Sequence, residues 1–368
     1  MSGPRKGYTY SEAGVDQARE DGALGPMLEW INRTLAFRTG VGRPLMGVGH
    51  FATVLELGGN LGLALCIDSV GSKLLVAEIT GKYDTIGIDC VAMNVNDLIC
   101  IGADPIAMVD YIAVETIDPA VLEAVAKGLH RGAELAGISI PGGEIAQLPE
   151  IVRGVAPGKG LDLAGAAVGL VPTDRLITGA GIADRDLIVG LPSSGVHSNG
   201  LTLARRVLFD HAQLSPRDTP ASLSRPVGEE LLEPTAVYVK PIREMLAHNL
   251  PITGMVNITG GGLLNLPRLD TDASFVVENL PEPRPIFSLI QELGQVSDAE
   301  MYRVFNMGVG FCLTVKPQAG AMEWIETIAQ EHGMRPMLLG FVRGDGKKQV
   351  LVKPKNLVGA QGAFHQAG

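Results

Sequence analysis

Residues 65–75 read LCIDSVGSKLL: an apolar run ends in Asp68, a Ser/Gly segment follows, and Lys73 opens a second apolar run. Just upstream, 51–57 (FATVLEL) and 61–67 (LGLALCI) are apolar, partly β-branched runs flanking GGN, the pattern of a β-hairpin. Asp68 therefore falls at a strand end with a glycine turn behind it, a place suited to handling phosphate. The turn is not a P-loop, because VGSK lacks the upstream glycine of G-x-x-x-x-G-K-[ST].

Working outward, DTIGIDCVAMNVNDLICIGADP from Asp84 predicts a helix. Asp84 is its expected N-cap; Ile86, Cys90, Met93, Cys100 and Ile101 form an apolar stripe, and Gly102 and Pro105 supply the stop. A strand is expected over 106–114 and a capped amphipathic helix over 118–137. ISIPGGEIAQLPEI reads as a short strand followed by a Gly-Gly turn, and 161–171 as a strand of small residues. The 368 residues suggest two domains at roughly 150 residues each, and Pro172-Thr173 is the candidate boundary, giving 1–172 and 173–368. In the second half a strand over 187–191, a glycine loop and a helix near 200–209 precede a polar linker over 213–226. A helix over 228–248, a strand, the loop TGGG and a last helix and strand pair follow, up to about residue 352. The fold class is α/β (α+β) in two domains. The first 14 or so residues and the Gly/Ala/Gln-rich 355–368 are expected to be loose.

Bulk properties narrow the function. A formal net charge of −10 disfavours nucleic acid and acidic membranes, which bind basic surfaces, but leaves phosphorylated small molecules open. Hydrophobic residues make up 46% of the chain, with a mean hydropathy of +0.22, yet no window approaches 18 consecutive apolar residues. The polar start MSGPRKGYTYSEAG lacks an apolar signal core, which predicts a cytoplasmic protein. Cys66, Cys90, Cys100 and Cys312 form no C-x-x-C pair and sit among apolar neighbours, as small buried hydrophobes do; metal or disulfide roles are the alternative. The 47 glycines, against an average near 7%, cluster in short loops between apolar runs, where backbone must approach a ligand.

One motif is a decoy. GVGHFA (47–52) satisfies G-x-G-x-x-A with Asp68 about 20 residues later, but no strand precedes it and a hairpin rather than a helix follows, so the context argues against dinucleotide binding. The informative features are acids beside glycine turns: Asp68 before SVGSK, Asp97 mid-helix in VNDL, and Glu144 after Gly142-Gly143. A mid-helix Asp in an apolar segment is costly unless paired or bound to metal. Three such carboxylates suit Mg²⁺ on a triphosphate; three unrelated caps and surface acids fit the pattern equally well. PSSGVHSNG (192–200) clusters Ser193, Ser194, His197, Ser198 and Asn199 ahead of a predicted helix, a donor-rich place for an anion or a nucleobase. NITGGGLLN (257–265) is a second loop built for close backbone approach.

Taken in order, YSEAGVD (10–16), DSVGSK (68–73), YDTIGIDCVAMNVNDL (83–98), GADP with DY (102–111), GGE (142–144), SSGVHSNG (193–200), TGGG (259–262) and MYRVFNMGVG (301–310) resemble the phosphoribosylformylglycinamidine cyclo-ligases, the aminoimidazole ribonucleotide synthetases of purine biosynthesis. The resemblance runs from about residue 8 to 345. Thiamine-phosphate kinase, selenophosphate synthetase and the hydrogenase maturation protein share the acidic pattern but not TIGID…VNDL with HSNG and FNMGVG. The resemblance implies an ATP- and Mg²⁺-dependent ring closure in a homodimer. An N-terminal domain would contribute strands to a barrel at the dimer interface, beside a C-terminal α/β domain.

It further implies Asp68, Asp97 and Glu144 as Mg·ATP carboxylates, with Ser69, Gly71, Ser72, Lys73, Asp84, Asn96, Gly142 and Gly143 around the nucleotide. Ser194, His197, Ser198, Asn199, Thr259, Gly260 and Gly261 would line the substrate cleft. Lys73, Asp97 and His197 are the expected catalytic groups, Lys73 near phosphate and His197 moving a proton or orienting substrate. The chain departs from the family pattern at Ser69 and Ser72 in DSVGSK, where Ser72 keeps a hydroxyl, and at Ile145 and Gln147 in GGEIAQLP, which leaves the cation count open. The implied chemistry phosphorylates the formyl amide oxygen with ATP, after which the amidine nitrogen closes the imidazole. Two alternatives remain: a kinase-like relative acting on another phosphorylated small molecule, and a catalytically silent dimeric binding protein.

Overall fold

A computed structural model describes residues 7–15 and 17–367. Helix α1 (Gln17–Thr34) leads to the hairpin β1 (Thr53–Gly58) and β2 (Leu61–Ser69), then α2 (Lys73–Thr80), α3 (Ile86–Ile99), β3 (Asp104–Val114), α4 (Pro119–Ala136), β4 (Ser139–Gln147) and β5 (Leu161–Pro172). These strands form a five-stranded sheet in the order β1-β2-β5-β3-β4. Helix α3 is buried on nearly every side, as expected of a helix apolar all round. It packs on α4 through glycine. A Cβ on Gly87 would overlap the backbone of Leu129, and one on Gly128 would meet the Asp84 carbonyl at 2.7 Å. Gly87→Val is therefore expected to cost about 3 kcal/mol by forcing the helices apart; a urea midpoint equal to wild type would refute this packing.

The second domain carries β6 (Leu187–Pro192), α5 (Leu201–Arg205), one π turn (Arg206–His211), α6 (Val227–Leu231), α7 (Val239–Ala247) and β7 (Ile252–Asn257). After a 3-10 segment (Gly262–Arg268) come β8 (Ser274–Val277), α8 (Pro285–Gly294), α9 (Asp298–Val304), β9 (Val309–Val315), α10 (Ala321–Glu331), β10 (Met337–Arg343), β11 (Val350–Val352), β12 (Leu357–Ala360) and β13 (Ala363–Gln366). Its eight-stranded sheet runs β13-β12-β11-β8-β10-β6-β9-β7.

Several expectations are corrected. Asp118 caps α4 as expected, accepting from the Ala120 and Val121 N–H groups, but α3 starts after Thr85 rather than on an Asp84 cap. PGGE is no turn: it lies inside β4, parallel to β3, with Pro141 beside the register shift between Ala107 and Val109. An edge strand tolerates the missing proline N–H. The helix expected over 228–248 is two helices, because Pro234 interrupts it and 232–238 turns inward. The last stretch holds three helices and several strands rather than one pair. Residues 355–366 are not loose: Leu357, Gly359 and Phe364 point into the core and extend the sheet. At the start, residues 1–6 lie outside the described residues, while 7–15 are tied to the second domain. Tyr8 N donates to Gly294 O (3.0 Å) and Tyr10 N to Glu300 Oε1 (2.6 Å).

Candidate functional site

The opening corner is fixed by Asn94. Its Oδ1 accepts from Asp68 N (3.0 Å) and its Nδ2 donates to Asp68 O (3.2 Å), which ties the end of β2 to α3. Asp97 lies three residues further along α3, on the side of Asn94. Its Oδ1 accepts from Asn257 Nδ2 of β7 (2.9 Å), so the acid sits where the two domains meet. Burial pushes the Asp97 carboxyl up to about 7; the charge of Asp68 adds to the rise, while Asn257 and Arg268 oppose it. Burial also raises Asp68, against a bond from Ser69 N (2.7 Å) and the charge of Arg268. Arg268 stacks on Phe51, its guanidinium carbon 3.9 Å from the ring centroid, and donates to His50 O (3.1 Å).

Facing this pair are the glycine loops. Thr259-Gly260-Gly261 follows Asn257 directly, and Gly261 holds φ +105°, a conformation that favours glycine. Asn265 Nδ2 donates to Gly262 O (2.9 Å) and closes the loop. Asn199 stands beside Gly260, with its Nδ2 buried and unpartnered among the described residues. The SSGVHSNG loop is held from behind by FNMGVG: Asn306 Nδ2 donates to Gly195 O (2.9 Å) and Val196 O (3.1 Å).

Several expected residues serve a different purpose. Lys73 opens α2 and points inward, fully buried. Its Nζ donates to Asp89 Oδ1 (2.8 Å) and to Glu233 O of the second domain (2.6 Å), so it is not free for phosphate. Asp89 Oδ1 also accepts from Thr235 N (2.7 Å), Thr235 Oγ1 (2.6 Å) and Ser198 Oγ (3.3 Å). Asn96 is likewise a clamp, donating to Ala236 O (2.8 Å) and accepting from Tyr238 N (3.0 Å). Ser72 Oγ accepts from Thr202 (2.9 Å), and Ser194 Oγ donates to Pro234 O (2.5 Å). His197, at φ +62°, accepts at Nε2 from Ser194 N (3.1 Å), and burial holds it down at about 3. With Nε2 accepting, the neutral ring carries its one proton on Nδ1; it orients its loop and is not an imidazolium acid near pH 7. Ser69 sits at the end of β2 outside the left-handed region, so its side chain costs the backbone nothing; Gly71 takes the positive φ of +66°. Asp84 is exposed.

Glu144 stands apart from the acid pair. It lies on the edge strand β4, exposed, with β5 and β3 between it and β2, and its Oε1 accepts from the next N–H (2.9 Å). Two intervening strands make a separation of about 14 Å across the sheet. No group of three His, Cys, Asp or Glu side chains among the described residues is placed to hold a metal, so the expected triad does not assemble within the chain. Asp68 with Asp97 still fits a hard divalent cation, which takes one or two carboxylates plus phosphate oxygens. The observation behind that fit is a carboxylate buried where the domains meet, with Asn257 Nδ2 on one oxygen and Asp68 nearby: a cation would offset the cost of burial first and the charge of Asp68 second.

Asp89, Thr235, Asn94, Asn257 and Arg268 were not singled out from the sequence. Asp89 had a signal, being a second acid inside the same apolar helix as Asp97; Asn94 and Asn257 lay inside quoted motifs without being marked, and Thr235 and Arg268 had no signal. All four cysteines are free thiols.

The fold and its cleft define a two-domain protein of the AIR synthase type. Models of the N-terminal and C-terminal domains of AIR synthase related proteins match residues 49–171 and 185–353. A phosphoribosylformylglycinamidine cyclo-ligase of Methanothermobacter thermautotrophicus is 48% identical over 309 residues, covering 84% of this chain and 88% of that protein. Those of Pyrococcus furiosus (49%, 84% and 88%) and Methanocaldococcus jannaschii (47%, 91% and 92%) are similar to the same extent. The chain belongs to the phosphoribosylformylglycinamidine cyclo-ligase family. The fold is shared with AaThiL complexed with AMPPCP and TMP (TM-score 0.57, 15% identity, covering 86% of this chain and 89% of that one). It is shared too with T. maritima PurL complexed with ADP (TM-score 0.53, 17% identity, 87% and 46%).

Proposed function

We propose that this protein is an ATP-dependent cyclo-ligase that converts formylglycinamidine ribonucleotide to 5-aminoimidazole ribonucleotide, ADP and phosphate. The observation that carries this reading is the Asp68–Asp97 pair at the domain junction, facing the unpartnered amide of Asn199 and the Thr259–Gly261 loop. In the reaction the formyl amide oxygen takes the terminal phosphoryl group and ADP departs. The amidine nitrogen then attacks the activated carbon, phosphate leaves with the former amide oxygen, and a proton is lost as the ring becomes aromatic. Asp68 and Asp97 would hold Mg²⁺, which offsets charge on the transferring phosphoryl group. Asn199 Nδ2 donates to substrate, and the backbone N–H groups of Gly260 and Gly261 accommodate anionic oxygens. The Lys73–Asp89 clamp and the neutral His197 hold the two loops in register, which is how positioning enters the rate.

The test is incubation with ATP, Mg²⁺ and formylglycinamidine ribonucleotide, measuring ADP and aminoimidazole together. Equal amounts of both support the cyclo-ligase. ATP turnover with a different acceptor only, or no turnover, overturns it.

We further propose a homodimer formed through the open face of the five-stranded sheet, in a cytoplasmic setting. No helix among the described residues is long and apolar enough to cross a membrane. Ile67 is 76% exposed and stands in register with Ala166 and, through it, Val109, with Tyr111 and Ile106 also exposed on the same strand as Val109. An apolar face of that extent calls for a partner. Ile67→Glu is expected to shift the protein to monomer in sedimentation; an unchanged mass would exclude this face.

A further inference from the structure

A cavity of about 520 Å³ opens at the domain junction around the C-terminal end of α3, and none of the residues of the reaction cleft lines it. Its walls come from both domains and from the segment that joins them. Ile99 closes α3, Val239, Ile242 and Leu246 lie on α7, and Arg175 lies between the two sheets in sequence. The lining is apolar where it is deep: Ile99, Val239 and Ile242 are buried. The size lies in the range of about 300–1,000 Å³ typical of small-molecule sites.

The charged groups are confined to the rim. Arg243 is paired with Asp104 across the junction. Arg175 is exposed, and its guanidinium has no hydrogen bond or ion pair among the described residues. An exposed, uncommitted arginine on the wall of an apolar hollow matches a molecule with an apolar body and a planar anionic head, since Arg binds carboxylate, phosphate or sulfonate through a fork of donors. We propose that this cavity is a second binding site, distinct from the reaction cleft, for a small amphipathic organic anion whose apolar part lies on Ile242 and Leu246 and whose anionic head lies on Arg175.

Both domains contribute to the wall, so an occupant touches each. Ile177 N in the joining segment donates to Ile101 O (3.2 Å), just past α3, and Asp97 lies two residues before Ile99 on that helix. The site therefore borders the element that carries one acid of the reaction cleft.

The test uses the full-length protein and 1-anilinonaphthalene-8-sulfonate as probe, followed by fluorescence titration. Wild type is expected to saturate at one probe per chain. Arg175→Glu, a surface change that leaves the core untouched, and Leu246→Trp, which fills the hollow, are each expected to weaken binding at least tenfold while retaining the wild-type melting temperature. The uncharged N-phenyl-1-naphthylamine is expected to bind more weakly and to be insensitive to Arg175→Glu. Wild-type titrations in both variants would overturn the site. Weakening by Leu246→Trp alone, with Arg175→Glu unchanged, would overturn the assignment of an anionic ligand.

Discussion

Lys73→Met is expected to lower the unfolding free energy by about 3–5 kcal/mol at neutral pH, the usual penalty for stranding one member of a buried ion pair. Both side chains are fully buried, and Lys73 also donates to the Glu233 carbonyl, so the substitution leaves a buried carboxylate without its counter-charge and a carbonyl without its donor. The remaining donors to Asp89, from Thr235 and Ser198, are neutral and do not replace the ammonium. Lys73→Met/Asp89→Asn is expected to recover part of the loss, with a coupling of about 1–3 kcal/mol between the sites, because the stranded charge is gone. Urea unfolding at fixed protein concentration measures both. A single variant within about 1 kcal/mol of wild type would remove the clamp from the account. The same variant separates two roles for this lysine: a phosphate contact would cost activity at unchanged stability, whereas the clamp costs stability first.

That lysine shows where sequence reading stopped. The hairpin, the strand end at Asp68, the capped helix α4 and the anomalous mid-helix Asp97 were all legible, because each depends on local pattern: alternation, an N-cap with proline after it, a polar residue in an apolar stripe. The direction in which Lys73 points is not local. It is set by Asp89 sixteen positions away and by Glu233 in the other domain, and no spacing rule connects them. The PGGE segment misled for a related reason. Glycine and proline signal a turn to a reader of sequence, but an edge strand with a register shift accommodates them, and only the pairing with β3 reveals it. The tail was obscured by composition: Leu357 and Phe364 are few among Gly, Ala and Gln, yet two inward side chains and a free sheet edge are enough to order it. Glu144 is the instructive acid. Its motif matched, while sheet order put two strands between it and Asp68.

Asp97→Asn is expected to reduce turnover by at least about 10²-fold, the order of loss when a group that stabilises developing charge is removed, while making the ligand-free protein more stable at pH 8. The sign follows from the raised carboxyl. In the folded chain it titrates near 7, against an ordinary value of 3.8, so the folded state holds its proton more tightly than the unfolded state does. Stability associated with that proton is complete below about pH 4 and is lost as pH rises through 7. Above 7 the folded protein carries a buried carboxylate beside Asp68 whose cost Asn257 and Arg268 offset only in part, and which a bound cation or a proton would neutralise. Asparagine keeps the shape and an acceptor for Asn257 Nδ2 and carries no charge, so the penalty vanishes along with the function. The thermal midpoint of wild type should therefore fall between pH 5 and 8 relative to that of Asp97→Asn. Added Mg²⁺ should raise the wild-type midpoint at pH 8 and leave the variant's nearly unchanged, a readout independent of turnover. Full activity in Asp97→Asn, or equal Mg²⁺ stabilisation of both proteins, would remove Asp97 from the cation site. A stable, inactive variant is the signature of an acid kept for chemistry against its cost to folding.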